Sequence, residues 1–163
     1  MLLSYDILIA GAGPAGLMAA EQAALNGLTV AVADAMPSPA RKFLMAGKSG
    51  LNLTKDEDST ACLKNYDASN SLRPIISAFG PQEVITFAQG LGQEVFTGST
   101  GRVFPKVMKA SPLLRSWLTR LEILGVTLLR HHRWVGPLEV NKIHRFETPA
   151  GGVQIHAKAL ILA

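Results

Sequence analysis

The stretch Tyr5-Asp6-Ile7-Leu8-Ile9-Ala10-Gly11-Ala12-Gly13-Pro14-Ala15-Gly16 decides how the rest of this chain is read. Residues 5–10 are a short apolar run, the pattern of a strand buried on both faces of a parallel sheet. Helical spacing starts at Pro14, a residue suited to a first helical position, and continues through alanines and leucines to Asn26. Gly27 ends it. Residues 28–34 restart as a second buried strand and close on an acid, Asp34. Between the first strand and the helix lies a G-x-G-x-x-G spacing, and the strand–turn–helix context is what gives that spacing weight. Gly11 makes the tight turn, Gly13 lets backbone approach a pyrophosphate, and Gly16 lets the helix pack close to the sheet. Ala12, Pro14 and Ala15 complete the turn, and the N–H groups and dipole of the helix favour phosphate charge there. The spacing predicts the dinucleotide-binding βαβ unit of a Rossmann-type domain.

Asp34 refines the ligand. A carboxylate at the end of the second strand accepts ribose hydroxyls and repels a 2′-phosphate, so FAD or NAD is expected over NADP. Ala20, Gly27 and Val30 fall where the extended fingerprint wants a small residue, a turn and a core strand residue.

Working outward, residues 35–60 read as a long loop rich in Pro, Gly, Ser, Lys and Asn, a length that implies a role. Residues 73–90 read as a helix broken at Gly80-Pro81, and 93–105 as a small hairpin around Gly98 and Gly101. Ser111-Pro112 opens a helix through Leu124, with Leu114, Trp117, Leu118 and Leu121 on its apolar face. Residues 126–129 form a strand, and 142–163 a hairpin around Pro149-Ala150-Gly151-Gly152. Ala159-Leu160-Ile161-Leu162-Ala163 has a core-strand pattern, from which the chain is expected to be the N-terminal part of a longer protein.

Bulk properties bound the class. The 163 residues suffice for one domain with a core, and 48% apolar with 17% charged residues is a folded composition. The net charge of +4 and pI near 9.5 favour anionic ligands, and the densest cations are Arg41, Lys42, Lys48 and Lys55. A nucleic-acid-binding module would want aromatic residues interleaved with basic ones, which the sequence lacks, so no nucleic-acid partner is expected. The single cysteine, Cys62, excludes an internal disulfide and a cysteine zinc site and fits a reducing cytosol. No run reaches the ~18 apolar residues of a membrane span, and Asp6 and the glycines interrupt any signal-peptide pattern. No membrane partner is expected, and a cytoplasmic location is.

Gly47-Lys48-Ser49 suggests a phosphate-binding P-loop, but that pattern needs glycine at position 42, which is lysine. A cofactor-lining loop is the reading kept, with Arg41 or Lys42 near the pyrophosphate and backbone amides of Ser49, Gly50, Asn52, Leu53 and Thr54 near a flavin. Adjacent His131 and His132 point to opposite faces of a strand, and they, His144 and His156 are expected at the surface or satisfied, so no metal site is assigned. Cys62 has no neighbour that would lower its pKa and is expected to be inert. Arg102 and Lys106 bracket the hairpin residues Phe104-Pro105, where a solvated hairpin explains them as well as a site does. No residue has a motif-level claim to proton transfer, and no catalytic residue is named.

The run Arg41–Thr54, with Gly101-Arg102-Val103-Phe104-Pro105 and Lys109-Ala110-Ser111-Pro112-Leu113-Leu114, resembles the BaiN/YhiN-like FAD-dependent oxidoreductases over essentially the whole chain. The resemblance implies an α/β, glutathione-reductase-like Rossmann domain for FAD, with a parallel sheet plus small β-hairpins, truncated before an inserted domain and a C-terminal FAD segment. It further implies FAD as cofactor, NAD(P)H as a possible electron donor and an unassigned small-molecule substrate. The alternatives are an NAD-binding domain without flavin and a non-catalytic fragment. Many members of that family have cysteine where this chain has Leu51, so a thiol role at that position is absent.

Overall fold

A computed structural model of the chain describes residues 2–66, 71–137 and 142–163. In chain order the elements are β1 (Leu3–Ala10), α1 (Pro14–Leu25), β2 (Val30–Asp34), α2 (Arg41–Ala46), β3 (Thr54–Lys55), α3 (Ser59–Leu63), α4 (Leu72–Ala78), α5 (Pro81–Gly90), β4 (Val95–Thr97), β5 (Arg102–Pro105), α6 (Ala110–Ile123), β6 (Thr127–Arg130), β7 (Arg133–Pro137), β8 (Ile143–Thr148) and β9 (Gly151–Leu162). They divide into two compact units, Met1–Phe43 with Leu118–Ala163, and Leu44–Trp117.

The first unit is built on a six-stranded mixed sheet in the order β6-β2-β1-β9-β8-β7. β1 runs parallel to β2 on one side and to β9 on the other, and β2 runs parallel to β6. β8 and β7 continue from β9 antiparallel. The parallel core and the hairpin around Gly151 agree with the sequence reading; pairing direction, which apolar pattern does not encode, extends them into one mixed sheet. β9 serves both halves, since Gly151–His156 faces β8 and Ile155–Leu162 faces β1.

β6 and β7 sit at opposite ends of this order, yet only His131 and His132 separate them in the chain. The sheet must therefore curl until β7 comes against β2, which it touches. The curl closes over one core: Leu8, Ala31 and Ala33 of β1 and β2 pack with Phe146 of β8 and with Ile155 and Ala157 of β9, flanked by Leu129 and Trp134. His131 makes the turn with φ 57°, and the His132 ring packs edge-on to Phe146 at 6.2 Å. The other face of β1 and β2 carries α1. Leu17 and Ala20 of α1 are fully buried, and burying a leucine side chain contributes about 2 kcal/mol. Glu21, also buried, receives Arg120 of α6 at 3.0 Å.

The ends of the central strands are tied by polar side chains. Asp6 accepts the Thr29 N–H at 2.8 Å and hydroxyl at 2.7 Å, and pairs with Lys158 at 2.6 Å. These partners, Lys158 foremost, hold its carboxyl far below the usual carboxylate range. His144 departs from the expectation of a surface or satisfied histidine: it lies buried on β8 with Nδ1 unpaired, and burial, with the nearby His156, pushes its pKa down.

The second unit holds a three-stranded antiparallel sheet, β3-β5-β4, with α3, α4 and α5. Gly80-Pro81 breaks the 72–90 region into two helices as the sequence predicts, with Glu83 accepting the Gly80 N–H at 2.9 Å. Asp58 caps α3 through the Ala61 N–H at 2.8 Å. Phe87 stacks edge-on to Trp117 at 5.0 Å, which places Trp117 in the core as expected. The 35–60 region is less irregular than its composition suggests, because α2, β3 and the start of α3 fall within it. The helix expected to open at Ser111 starts one residue earlier, at Ala110. Among the described residues no helix is long and apolar enough to cross a membrane, and no group of three metal-ligating side chains forms.

Candidate nucleotide-binding cleft

The cleft of the first unit forms where β1 and β2 end. Gly11 leaves β1 at φ +117°, a conformation that L side chains rarely adopt. Its N–H donates to the Ala33 carbonyl at 2.8 Å, holding the turn to β2. A Cβ on Gly11 would stand 2.1 Å from the Ala163 carbonyl oxygen, and one on Gly16 would stand 1.9 Å from that of Gly11. Both glycines are thus required by packing alone. Gly13 is different: a Cβ there would meet nothing within 4 Å. Gly13 is also the N-cap of α1, and no side chain caps this helix end, which begins with Pro14. The space that fold packing leaves beside Gly13 therefore adjoins uncapped backbone donors.

Asp34 faces the same turn. Its Oδ2 accepts the Ala12 N–H at 2.8 Å and its Oδ1 the Met36 N–H at 2.8 Å. A carboxylate has about four lone-pair positions, so two remain for further donors. The chain then returns across the turn, the Ala40 N–H donating to the Ala12 carbonyl at 2.8 Å, with Ala40 at φ 53°.

Together these features enclose a cleft of about 410 Å³. Of the residues expected from sequence, Gly11, Gly13, Pro14, Ala15, Asp34, Arg41 and Lys42 line it. Ala12 and Gly16 stand behind it, Ala12 through its bond to Asp34 and Gly16 through its contact with Gly11. Arg41 and Lys42 are exposed and pair with no carboxylate among the described residues, so the cleft wall carries both cationic charge and the carboxylate of Asp34. Met36, Ser38, Ala40 and Ala163 also line it and carry no motif. Ala163 follows the strand beside β1, its N–H bonded to the Ala10 carbonyl at 3.0 Å, and only the sheet order reveals that.

Ser49, Gly50, Asn52, Leu53 and Thr54 belong to the second unit. Ser49 is exposed, and Gly50 takes φ +134° beside the Met108 Cε. The Leu53 N–H is engaged by the Val103 carbonyl at 2.9 Å, and Thr54 pairs with Val103 in the small sheet. Asn52, Leu53 and Thr54 line a separate cavity of that unit.

Known proteins place the chain in a group. Over 121 residues it is 31% identical to a ferredoxin–NADP reductase of Salinispora tropica, a match covering 62% of this chain and 37% of that protein. Among solved structures, E. coli quinol fumarate reductase FrdA is matched at a TM-score of 0.74 with 17% identity, covering 100% of this chain and 33% of that one. THI4 of Thermovibrio ammonificans is matched at a TM-score of 0.63 with 16% identity, covering 98% and 57%. At such identity the structural likeness speaks to the fold, which is α/β and Rossmann-like, of the type FAD-binding domains use. The chain spans between a third and somewhat over half of the length of these proteins. The model of the HI0933-like protein Rossmann domain matches residues 5–163, and this chain belongs to that family.

Proposed function

We propose that this chain is the dinucleotide-binding part of an FAD-dependent oxidoreductase, its cleft holding the ADP half of FAD. The observation that carries the reading is the open space at Gly13, where the uncapped start of α1 and the cations Arg41 and Lys42 would surround a pyrophosphate while Asp34 accepts ribose hydroxyls. The residues present fit the group: the cleft wall offers uncapped donors and cations for phosphates and a carboxylate acceptor for a ribose.

The work of this chain is to bind and orient. Gly11 and Gly16 hold the turn tight, Asp34 fixes the ribose end, and the start of α1 stabilises phosphate charge. When bound, the flavin supplies electron transfer between a nicotinamide or oxygen and a small molecule. NAD(P)H as donor accords with the name of the Salinispora tropica relative, a ferredoxin–NADP reductase. The roles of Ser49, Gly50, Asn52, Leu53 and Thr54 toward the flavin rest on the sequence motif.

Reconstitution tests the reading. The purified chain, loaded with FAD and freed of excess, is expected to retain flavin absorbance, and ADP is expected to compete for the site. A colourless chain that binds NAD and ADP would replace the proposal with an NAD-binding domain. A chain that binds none of the three would refute the assignment of the cleft.

A further inference from the structure

The second unit contains a cavity of about 450 Å³ with lining of two kinds. Ile76 of α4, Phe79 just after it and Val84 of α5 give it apolar surface, and Phe79 remains 46% exposed. Thr54, Asn52, Tyr66 and Arg102 give it hydroxyl, amide and guanidinium groups. Among the described residues its one carboxylate is Glu57, and that charge is already matched. Glu57 Oε2 takes Lys55 Nζ at 2.6 Å and Oε1 accepts from Asn65 Nδ2 at 2.9 Å, leaving its side chain 12% exposed. Arg102 is the cation left over: it projects from β5, is exposed, and has no carboxylate partner among the described residues.

An unmatched guanidinium beside an apolar surface selects a particular ligand chemistry. The planar fork of an arginine binds a carboxylate through two parallel N–H···O bonds, and such charge-assisted bonds are about twice as strong as neutral ones. Apolar surface facing water gains by being covered. A single spare positive charge suits a monoanion better than a phosphate, whose second charge would go unmatched. The volume lies in the range of small-molecule sites. We infer that this cavity binds a small amphipathic carboxylate, its acid group on Arg102 and its apolar body against Ile76, Phe79 and Val84. Thr54 and Asn52 supply further hydrogen bonds to the acid. The inference rests on Arg102, Ile76, Phe79 and Val84, none of which has a role in the dinucleotide reading.

The protein carries its own reporter for this site. Cys62 is the single cysteine of the chain, is partly buried, and lines the same cavity. Its alkylation by neutral iodoacetamide is followed with phenylacetate present, then with phenylacetamide, which has the same body without the charge. Phenylacetate is expected to slow alkylation saturably, about fivefold at four times its dissociation constant, with that constant about 1 mM or tighter. Phenylacetamide is expected to have little effect. Arg102→Gln, at an exposed position, is expected to fold with unchanged circular dichroism and to lose the protection. Protection by acid and amide alike, or none by phenylacetate up to about 20 mM, overturns the inference. So does protection that survives in a folded Arg102→Gln chain. If that variant does not fold, the acid–amide comparison on the unaltered chain decides. Asp34→Ala is expected to weaken ADP binding and keep the phenylacetate effect, so the two readings fail separately.

Discussion

The carboxylate of Asp34 accepts the backbone N–H of Ala12 at 2.8 Å, across a gap of 22 residues in sequence. One side chain thereby fixes the end of β2 to the glycine turn that follows β1, and its second oxygen orders the exit of the chain through Met36. Hydrogen bonds to a charged group are worth about 1.5–3 kcal/mol, so Asp34→Ala is expected to weaken ADP binding roughly 10- to 100-fold. Isothermal titration with ADP measures this. Unchanged affinity would remove Asp34 from the binding site.

Gly13 and Gly16 separate packing from binding. Alanine at Gly16 would press its Cβ to 1.9 Å from the Gly11 carbonyl oxygen, a backbone atom that cannot swing aside. A loss of about 3 kcal/mol is expected, or roughly 6–12 °C in melting temperature. Alanine at Gly13 meets open space and an ordinary backbone conformation, φ −76° and ψ 177°, so stability should change by about 1 kcal/mol or less. Its methyl group would occupy the space assigned to the pyrophosphate, and ADP affinity should drop at least about tenfold. Calorimetric melting and titration of both variants check the pair, and a Gly13→Ala chain that binds normally would count against the phosphate position.

The Glu21–Arg120 pair joins α1 to α6 with the glutamate buried and the arginine side chain 31% exposed. Removing the guanidinium takes a charge partner from a buried carboxylate. Arg120→Met is expected to cost about 2 kcal/mol, below the full cost of breaking a buried pair because water reaches the guanidinium. Glu21→Leu together with Arg120→Met should recover most of that loss, since no buried charge is then left. Urea denaturation of the single and double variants decides. Additive losses would show that the pair is not a coupled unit.

Stability should fall on the acid side in two steps. Burial, followed by the charge of His156, lowers the pKa of His144 below its ordinary 6.5, so the native state resists taking up a proton that the unfolded chain accepts. Its penalty is absent above about pH 6.5 and grows as pH falls from there to the lowered native value. Asp6 acts at lower pH: its carboxyl is held down first by Lys158 and then by Thr29, and its contribution, complete above about pH 4, is lost below it. Urea midpoints taken from about pH 8 down to pH 5 should decline in the parent chain and stay flatter in His144→Gln. Parallel slopes would assign the decline to other groups.

The βαβ start was legible in the sequence because local signals coincide there: an apolar run, glycines at fixed offsets, Pro14 at the helix start and an acid at the strand end. Gly80-Pro81 and the glycines of the β4–β5 hairpin were legible for the same reason, since each constrains its own backbone. α2 was not, because six residues without a cap or an apolar stripe leave no period to detect. β7 carries no such signal, because Gly136 and Pro137 interrupt its strand pattern and its register shifts between Trp134 and Gly136. Met36, Ser38, Ala40 and Ala163 reach the cleft through the path of the chain and the sheet order, which have no local signature. The burial of His144 likewise follows from how β8 is covered.

The pairing of β1 with β9 also sets a timetable. Leu3 lies opposite Ile155 and Ala10 opposite Leu162, so β1 gains one of its two neighbours only after some 150 further residues have been made. The segment Leu44–Trp117 is continuous and has its contacts close at hand, whereas the unit that carries the nucleotide cleft is assembled from two distant pieces of chain. Competence to hold a nucleotide is accordingly a late property of synthesis, and nascent chains stalled before β9 should emerge with the cleft unsealed.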